Sequence, residues 1–263
     1  MTDISPAPYI ASIGSQTERA MFTSVDMFTK PKRYGRGIRE YLLKRDHIKV
    51  GPYKLKTNRG DPMRMSVYGY DSVETQLVRD HLKSGQLALD IGANIGYYTT
   101  LFAMQGAVIH SYEPDPTNYS ILYHNMTSNR INAALHNVAV GDHSGGSTLY
   151  LAHTPGQHSI HPTRYTNKSI IIKMETIPFD HIDFAKIDTE GAEVLVLQGF
   201  KSMPDKIIIE YNTENLISHN TTPEQFFSLL KGHTIKTITK SGLKELDYDT
   251  LYNSRMAVNL WCT

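Results

Sequence analysis

The spacing of apolar residues changes along this chain, and the change marks out its elements. From about Asp71 onward, short and nearly continuous apolar runs alternate with segments whose apolar residues recur at helical spacing. "QLALDI", "AVIHSYEP", "ALHNVAV", "FAKIDTEG" and "DKIIIEYN" read as strands buried on both faces. Between them, "SVETQLVRDHLKSG", "IGYYTTLFAMQG", "PTNYSILYHNMTSN", "AEVLVLQGF" and "TPEQFFSLLKG" read as helices. The first of these helices carries Val73, Leu77, Val78 and Leu82 on one face, a serine to cap it and a glycine to stop it. The last has Thr222 at its cap and Pro223 at its first helical position. "HTIKTIT" and "RMAVNLWC" close the chain as strands. Strands that alternate with helices predict right-handed βαβ units, and so an α/β fold with a parallel sheet between two helical layers. In such sheets a ligand lies beyond the carboxyl ends of the strands.

Two regions break the pattern. The stretch 141–173 is rich in Gly, Ser, His and Thr, and its "STLYLA" and "SIIIKM" alternate as the strands of a polar β-ribbon insertion would. Residues 1–69 read as an N-terminal extension with a basic helix and a hairpin, which leaves 70–263 as the α/β domain. With 263 residues, 40% of them hydrophobic and 20% charged, the chain suits a soluble globular protein. Its single cysteine, Cys262, can build neither an internal disulfide nor a cysteine zinc site. That composition, an N-terminus without a signal-like apolar run and the lack of a membrane-length segment lead to a cytoplasmic expectation. Oligomeric state leaves no mark in the sequence.

Charge adds one complication. Net charge is only +1, yet Lys30 to Arg64 holds twelve Lys/Arg against three Asp/Glu. Such a block can hold an anionic small molecule or track the phosphates of a nucleic acid, although its spread-out charges fit a solvated surface better. Tyr9, Phe22, Phe28, Tyr34 and Tyr41 lie in or near it, and packing onto the core is the plainer reading than stacking on sugars or bases.

The first strand turns into its helix through "DIGANIG", where glycines let backbone approach a ligand and the helix start offers free N–H groups. Glu113, ending the next strand, sits where an acid grips the two hydroxyls of a ribose. A dinucleotide fingerprint wants glycines at its first, third and sixth positions. Counting from Gly92, this loop has Asn94 and Tyr97 at the other two. A nucleoside with a small zwitterionic tail therefore suits the loop better than a pyrophosphate, and an NAD-dependent oxidoreductase becomes improbable.

In order, "DIGANIGYYT", "YEPDPTNYSILYHN", "NVAVGDHSG", "KIDTEGAEVLVLQG" and "IIIEYN" resemble the FkbM family of S-adenosylmethionine-dependent methyltransferases. The resemblance runs from about Tyr70 to Asn212. It implies a Rossmann-like class I methyltransferase fold, a three-layer sandwich whose seven-stranded, mostly parallel sheet ends in an antiparallel strand. It implies S-adenosylmethionine as cofactor and methyl transfer to oxygen, on a sugar or another small polar metabolite. By motif, Asp90, Gly92, Asn94, Gly96 and Tyr97 would surround the methionine part, Glu113 the ribose, and Asn137 and Val138 the adenine. Glu74 matches an upstream glutamate that the family places near the cofactor, and Thr189 stands where the family more often has an apolar residue.

"KIDTEGAE" puts Lys186, Asp188, Glu190 and Glu193 at a strand end and the first turn of a helix. An alcohol is a poor nucleophile at neutral pH, so a carboxylate base helps, with Asp188 the first choice as catalytic residue and Glu190 the second. Glu193 reads as a stabiliser of its helix start. A Mg²⁺ ion on Asp188 with Glu210 or Asn212 is the less favoured variant, because no closely spaced ligand set demands it. His143, His153, His158 and His161 crowd the insertion without a zinc spacing and read as surface-loop residues. The best reading is an O-methyltransferase acting on a small molecule or glycan. An RNA methyltransferase that holds phosphates on the basic block is the alternative.

Overall fold

The computed structural model describes residues 47–57, 72–152, 158–160, 162, 166–218, 221–253 and 257–263. The expected basic helix and the aromatic residues near it lie outside the described residues, as do His153 and His161.

The described residues open with a hairpin, β1 (His47–Val50) and β2 (Tyr53–Lys56). Next comes α1 (Val73–His81), where the Ser72 side chain accepts a hydrogen bond from the Thr75 N–H and caps the helix. β3 (Leu87–Ile91), α2 (Tyr97–Met104), β4 (Val108–Tyr112), α3 (Pro116–Ser128) and β5 (Ala134–His136) follow. β6 (Ala139–Val140), β7 (Gly145–Ala152) and β8 (Thr166–Glu175) form a sheet of their own. The alternation resumes with β9 (Phe184–Ile187), α4 (Glu193–Gln198), β10 (Ile207–Tyr211), α5 (Thr213–Ser218) and α6 (Pro223–Leu229). It ends with β11 (Ile235–Thr239), β12 (Gly242–Glu245), α7 (Tyr248–Asn253) and β13 (Val258–Cys262).

The main sheet runs β12-β11-β13-β10-β9-β3-β4-β5. From β10 to β5 the pairing is parallel, while β13 is antiparallel to both β10 and β11. The expected class of sheet is present, with eight strands rather than seven among the described residues. The addition is β12, which a turn through Lys240 and Ser241 folds back against β11. "GLKE" is too short and too polar to read as a strand, because an edge strand buries little. The segment "ALHNVAV", expected as one strand, is also divided. β5 pairs with β4, Asn137 leaves the ladder, and β6 joins β8 instead.

Each face of the sheet has its own core. Leu89, Ala185, Ile187 and Ile209 pack in one cluster, and Ala88, Phe184, Ile208 and Trp261 in the other, as the two-residue alternation of strands requires. Burial on both sides explains why these strands read as unbroken apolar runs. The N-terminal hairpin is tied to the glycine loop by one residue, Asn125 on α3. Its amide accepts from the Lys56 N–H (2.7 Å) and donates to the carbonyls of Lys56 (3.0 Å) and Ile95 (2.8 Å).

Candidate functional site

The turn between β3 and α2 needs its glycines. Gly92 has φ +82°, and a Cβ there would collide with the carbonyl oxygen of Asp188. Gly96 has φ +93°, and a Cβ there would lie 2.7 Å from both Leu122 and Met126 on α3. Asn94 takes the left-handed conformation that asparagine tolerates, with φ +50°. The Gly92 and Ala93 N–H groups donate to the Tyr112 carbonyl at 2.9 and 3.0 Å, and the Asn94 N–H donates to Glu113 Oε2 at 2.8 Å. The loop is thus wound around the end of β4.

Its two acids are buried and bonded. Asp90 Oδ2 accepts from the Thr99 N–H (2.7 Å) and hydroxyl (2.6 Å), and Thr99 Oγ1 also meets Ser111 Oγ (2.9 Å). Burial pushes Asp90 up to about 6, against the pull of those Thr99 bonds and of Lys186. Glu113 accepts from Asn94 on one oxygen and from the Asp115 N–H (2.9 Å) on the other. Burial lifts it to about 7, although both backbone bonds favour the charged form.

The opposite wall comes from the ends of β9 and β10. Lys186 is only 1% exposed, and its Nζ lies 3.1 Å from Asp188 Oδ2 and 5.3 Å from the centre of the Tyr98 ring. Glu190 is half-buried in the left-handed region, with φ +54°, a strained setting for a side chain this long. Burial, with Asp188 and Glu193 near, pushes Glu190 up to about 8. Burial and the carboxylates of Asp188, Glu190 and Glu193 push Glu210 up to about 9. Among the described residues, neither Glu190 nor Glu210 has a hydrogen-bonded carboxylate. Glu193 differs. One of its oxygens accepts from the Thr189 N–H and hydroxyl, each at 3.0 Å, and from the Gly191 N–H at 3.2 Å. Thr189 therefore has a local job, fastening the start of α4.

A cavity of about 250 Å³ opens between the two walls. Asp90, Gly92, Asn94, Tyr97, Glu113, Val138, Asp188 and Glu190 line it, as do Lys186 and Glu210. Gly96 shapes the turn from behind. Asn137 is exposed and off the cavity wall, its amide bonded to the carbonyls of Glu113 (2.8 Å) and Pro114 (3.2 Å). Glu74 also lies off the wall, accepting from Asn259 Nδ2 at 3.2 Å.

The histidines divide as well. His143 is exposed and meets Asp142 at 2.7 Å. His158 instead lines the cavity beside Leu149 and Ile160, with its Nε2 3.7 Å from Asp115 Oδ2, which sequence spacing alone does not reveal. Burial lowers its pKa. A possible metal triad among the described residues, His181, Asp183 and Asp205, is at the opposite end of β9, and no such triad forms at the cavity. No helix among the described residues is long and apolar enough to cross a membrane.

The family model of the methyltransferase FkbM domain matches residues 90–231, more than half of the chain and both walls of this cavity. The chain belongs to that family. No curated protein matches it. Solved structures similar to this FkbM-domain chain include the Pyrococcus abyssi tRNA (uracil-54, C5)-methyltransferase in complex with S-adenosyl-L-homocysteine, at 11% identity and TM-score 0.44. That likeness covers 83% of this chain and 44% of the other, so the chain spans less than half its length. The Geobacter metallireducens precorrin-6y C5,15-methyltransferase is 12% identical with TM-score 0.37, over 72% of this chain and 86% of the other. M. jannaschii TYW2 in complex with AdoMet is 13% identical with TM-score 0.43, over 82% of this chain and 84% of the other.

Proposed function

We propose that this FkbM-family protein is an S-adenosylmethionine-dependent O-methyltransferase whose acceptor is a hydroxyl of a sugar or another small polar molecule. The observation that carries the reading is the single cavity wall formed by Asp90, the Gly92–Tyr97 turn and Glu113, facing Asp188. Those residues fit the cofactor. Each Glu113 oxygen accepts one backbone N–H and keeps lone-pair capacity for a ribose hydroxyl. Val138, Val140, Leu149 and Ile160 offer an apolar wall for an adenine ring. Backbone groups of the Gly92–Gly96 turn suit the ammonium and carboxylate of the methionine part. Glu74 reaches this site indirectly, through Asn259, the residue paired with Glu210 across β10 and β13.

The bound cofactor supplies an activated methyl group on a positively charged sulfur. The protein's share is to align the acceptor and receive its proton. Asp188 is placed for that, with its carboxylate steered by the buried Lys186 ammonium at 3.1 Å. Glu190 is the second candidate, and its strained backbone holds it at the wall.

The RNA alternative draws on the basic block, of which the described members Lys49, Lys54 and Lys56 are exposed on the hairpin. The carboxylates at the acceptor end oppose a phosphate there. Titration with S-adenosylhomocysteine tests the cofactor, and methyl transfer to neutral sugars against short RNA tests the acceptor. Loss of the first signal would refute the whole reading. Transfer to RNA that weakens steeply with salt would favour the alternative.

A further inference from the structure

Asp188, Glu190 and Glu210 bring three carboxyl groups together on one side of the cavity. Register places Lys186 opposite both Asp90 on β3 and Ile208 on β10. Asp188 and Glu210, each two residues farther along, therefore project from the same face of neighbouring strands. Glu190 reaches the same cavity from the loop before α4. Among the described residues one buried cation, Lys186, stands against these three carboxylates, paired with Asp188. The other groups around the patch are Asp90 on β3, Glu193 on α4, Tyr98 on α2 and Glu74 on α1. Asp90 and Glu193 are occupied by Thr99, and by Thr189 and Gly191. Glu74 is held by Asn259, the residue paired with Glu210 across β10 and β13.

Buried carboxylates without donors are costly as anions, so Glu190 and Glu210 keep protons until a cation arrives. The raised pKa values of Glu190, to about 8, and of Glu210, to about 9, agree with that. We infer that Asp188, Glu190 and Glu210 act as a charge sensor that distinguishes the cationic methyl donor from its neutral demethylated product. The inference rests on the cofactor reading above and adds to it a role for Glu210 as a specificity-determining residue.

The charge balance closes. In methyl transfer the acceptor oxygen bonds the methyl carbon, the carbon–sulfur bond breaks, and its electron pair stays on sulfur. The acceptor's proton passes to a carboxylate of the patch. One positive charge leaves the sulfur as one arrives on the carboxylates, so the site's net charge is the same before and after. Donor binding then expels a proton that product binding lets stay.

The test is calorimetric titration of the full chain with S-adenosylmethionine and S-adenosylhomocysteine from pH 6 to 8.5, in buffers of different ionisation enthalpy. At pH 8 the donor should bind about tenfold or more tighter than the product. That preference should shrink toward pH 6, approaching tenfold per pH unit for one linked proton. Glu210→Gln should flatten the pH slope and cut the preference, and Glu190→Gln provides a second variant should the first misfold. A preference that is absent, independent of pH or unchanged in both variants overturns the charge sensor. Binding of neither ligand would instead overturn the cofactor reading itself.

Discussion

The two walls of the cavity are built from the same kind of residue in opposite states. On the β3–β4 wall, Asp90 and Glu113 are buried, and both are engaged by hydrogen-bond donors of the protein. On the β9–β10 wall, Glu190 and Glu210 are half-buried with no such donor among the described residues. A carboxylate that the fold satisfies serves to set the shape of a loop. One that the fold leaves unsatisfied stores free energy that a ligand can release. The first wall is a mould, and the second holds carboxylates that the fold leaves open to a ligand. Glu193 marks the boundary, since it sits in the reactive segment yet is fully used as a helix fastening.

The sharpest way to break this contrast is Asp188→Asn. Methyl transfer to a hydroxyl acceptor should fall about 10³-fold in a single-turnover assay, the scale of a lost general base. S-adenosylhomocysteine affinity should stay within about threefold, because the mould is untouched. Gly92→Ala attacks the mould instead. Its Cβ meets backbone rather than a movable side chain, at a positive φ. Denaturant unfolding should show a loss of about 3 kcal/mol. Glu113→Ala should lower S-adenosylhomocysteine affinity about 100-fold by calorimetry, as expected for charged hydrogen bonds lost together with the loop's anchor.

Glu210→Gln has a smaller effect of the opposite sign. A carboxyl with a raised folded pKa stabilises the fold fully below its ordinary 4.5, and that contribution is lost as pH rises through about 9. At pH 8.5 the ligand-free variant should therefore melt about 3 °C above the parent, with the gain vanishing near pH 4. Equal melting curves at both pH values would mean that Glu210 is relieved by some other partner. Glu193→Gln should be the mildest, costing about 1 kcal/mol of helix fastening and leaving ligand affinity unchanged.

Much of this was legible in the sequence because it depends on local periodicity. The buried strands read as apolar runs, and the caps at Ser72 and Thr222 read as helix starts. β12, α5 and α7 did not, since they are short and carry too few apolar residues to display a period, and an edge position buries little. The family resemblance gives Asn137 to the adenine. In the fold it turns to the carbonyls of Glu113 and Pro114, where the chain leaves one sheet for another. His158 went the other way, from an apparent surface loop to the cavity wall.

By itself, then, the sequence determined the alternation of strands and helices, the glycine turn and the acids that end the strands, because each depends on neighbours in the chain. Only the tertiary structure decided which acids are satisfied. Asp90 needs Thr99 from the next helix, and Glu113 needs Asn94 from across the turn. Among the described residues Glu190 and Glu210 find no donor, although all four look alike as letters. Hydrogen-bond satisfaction is a property of three-dimensional surroundings, and those surroundings divide one set of carboxylates into satisfied and unsatisfied ones.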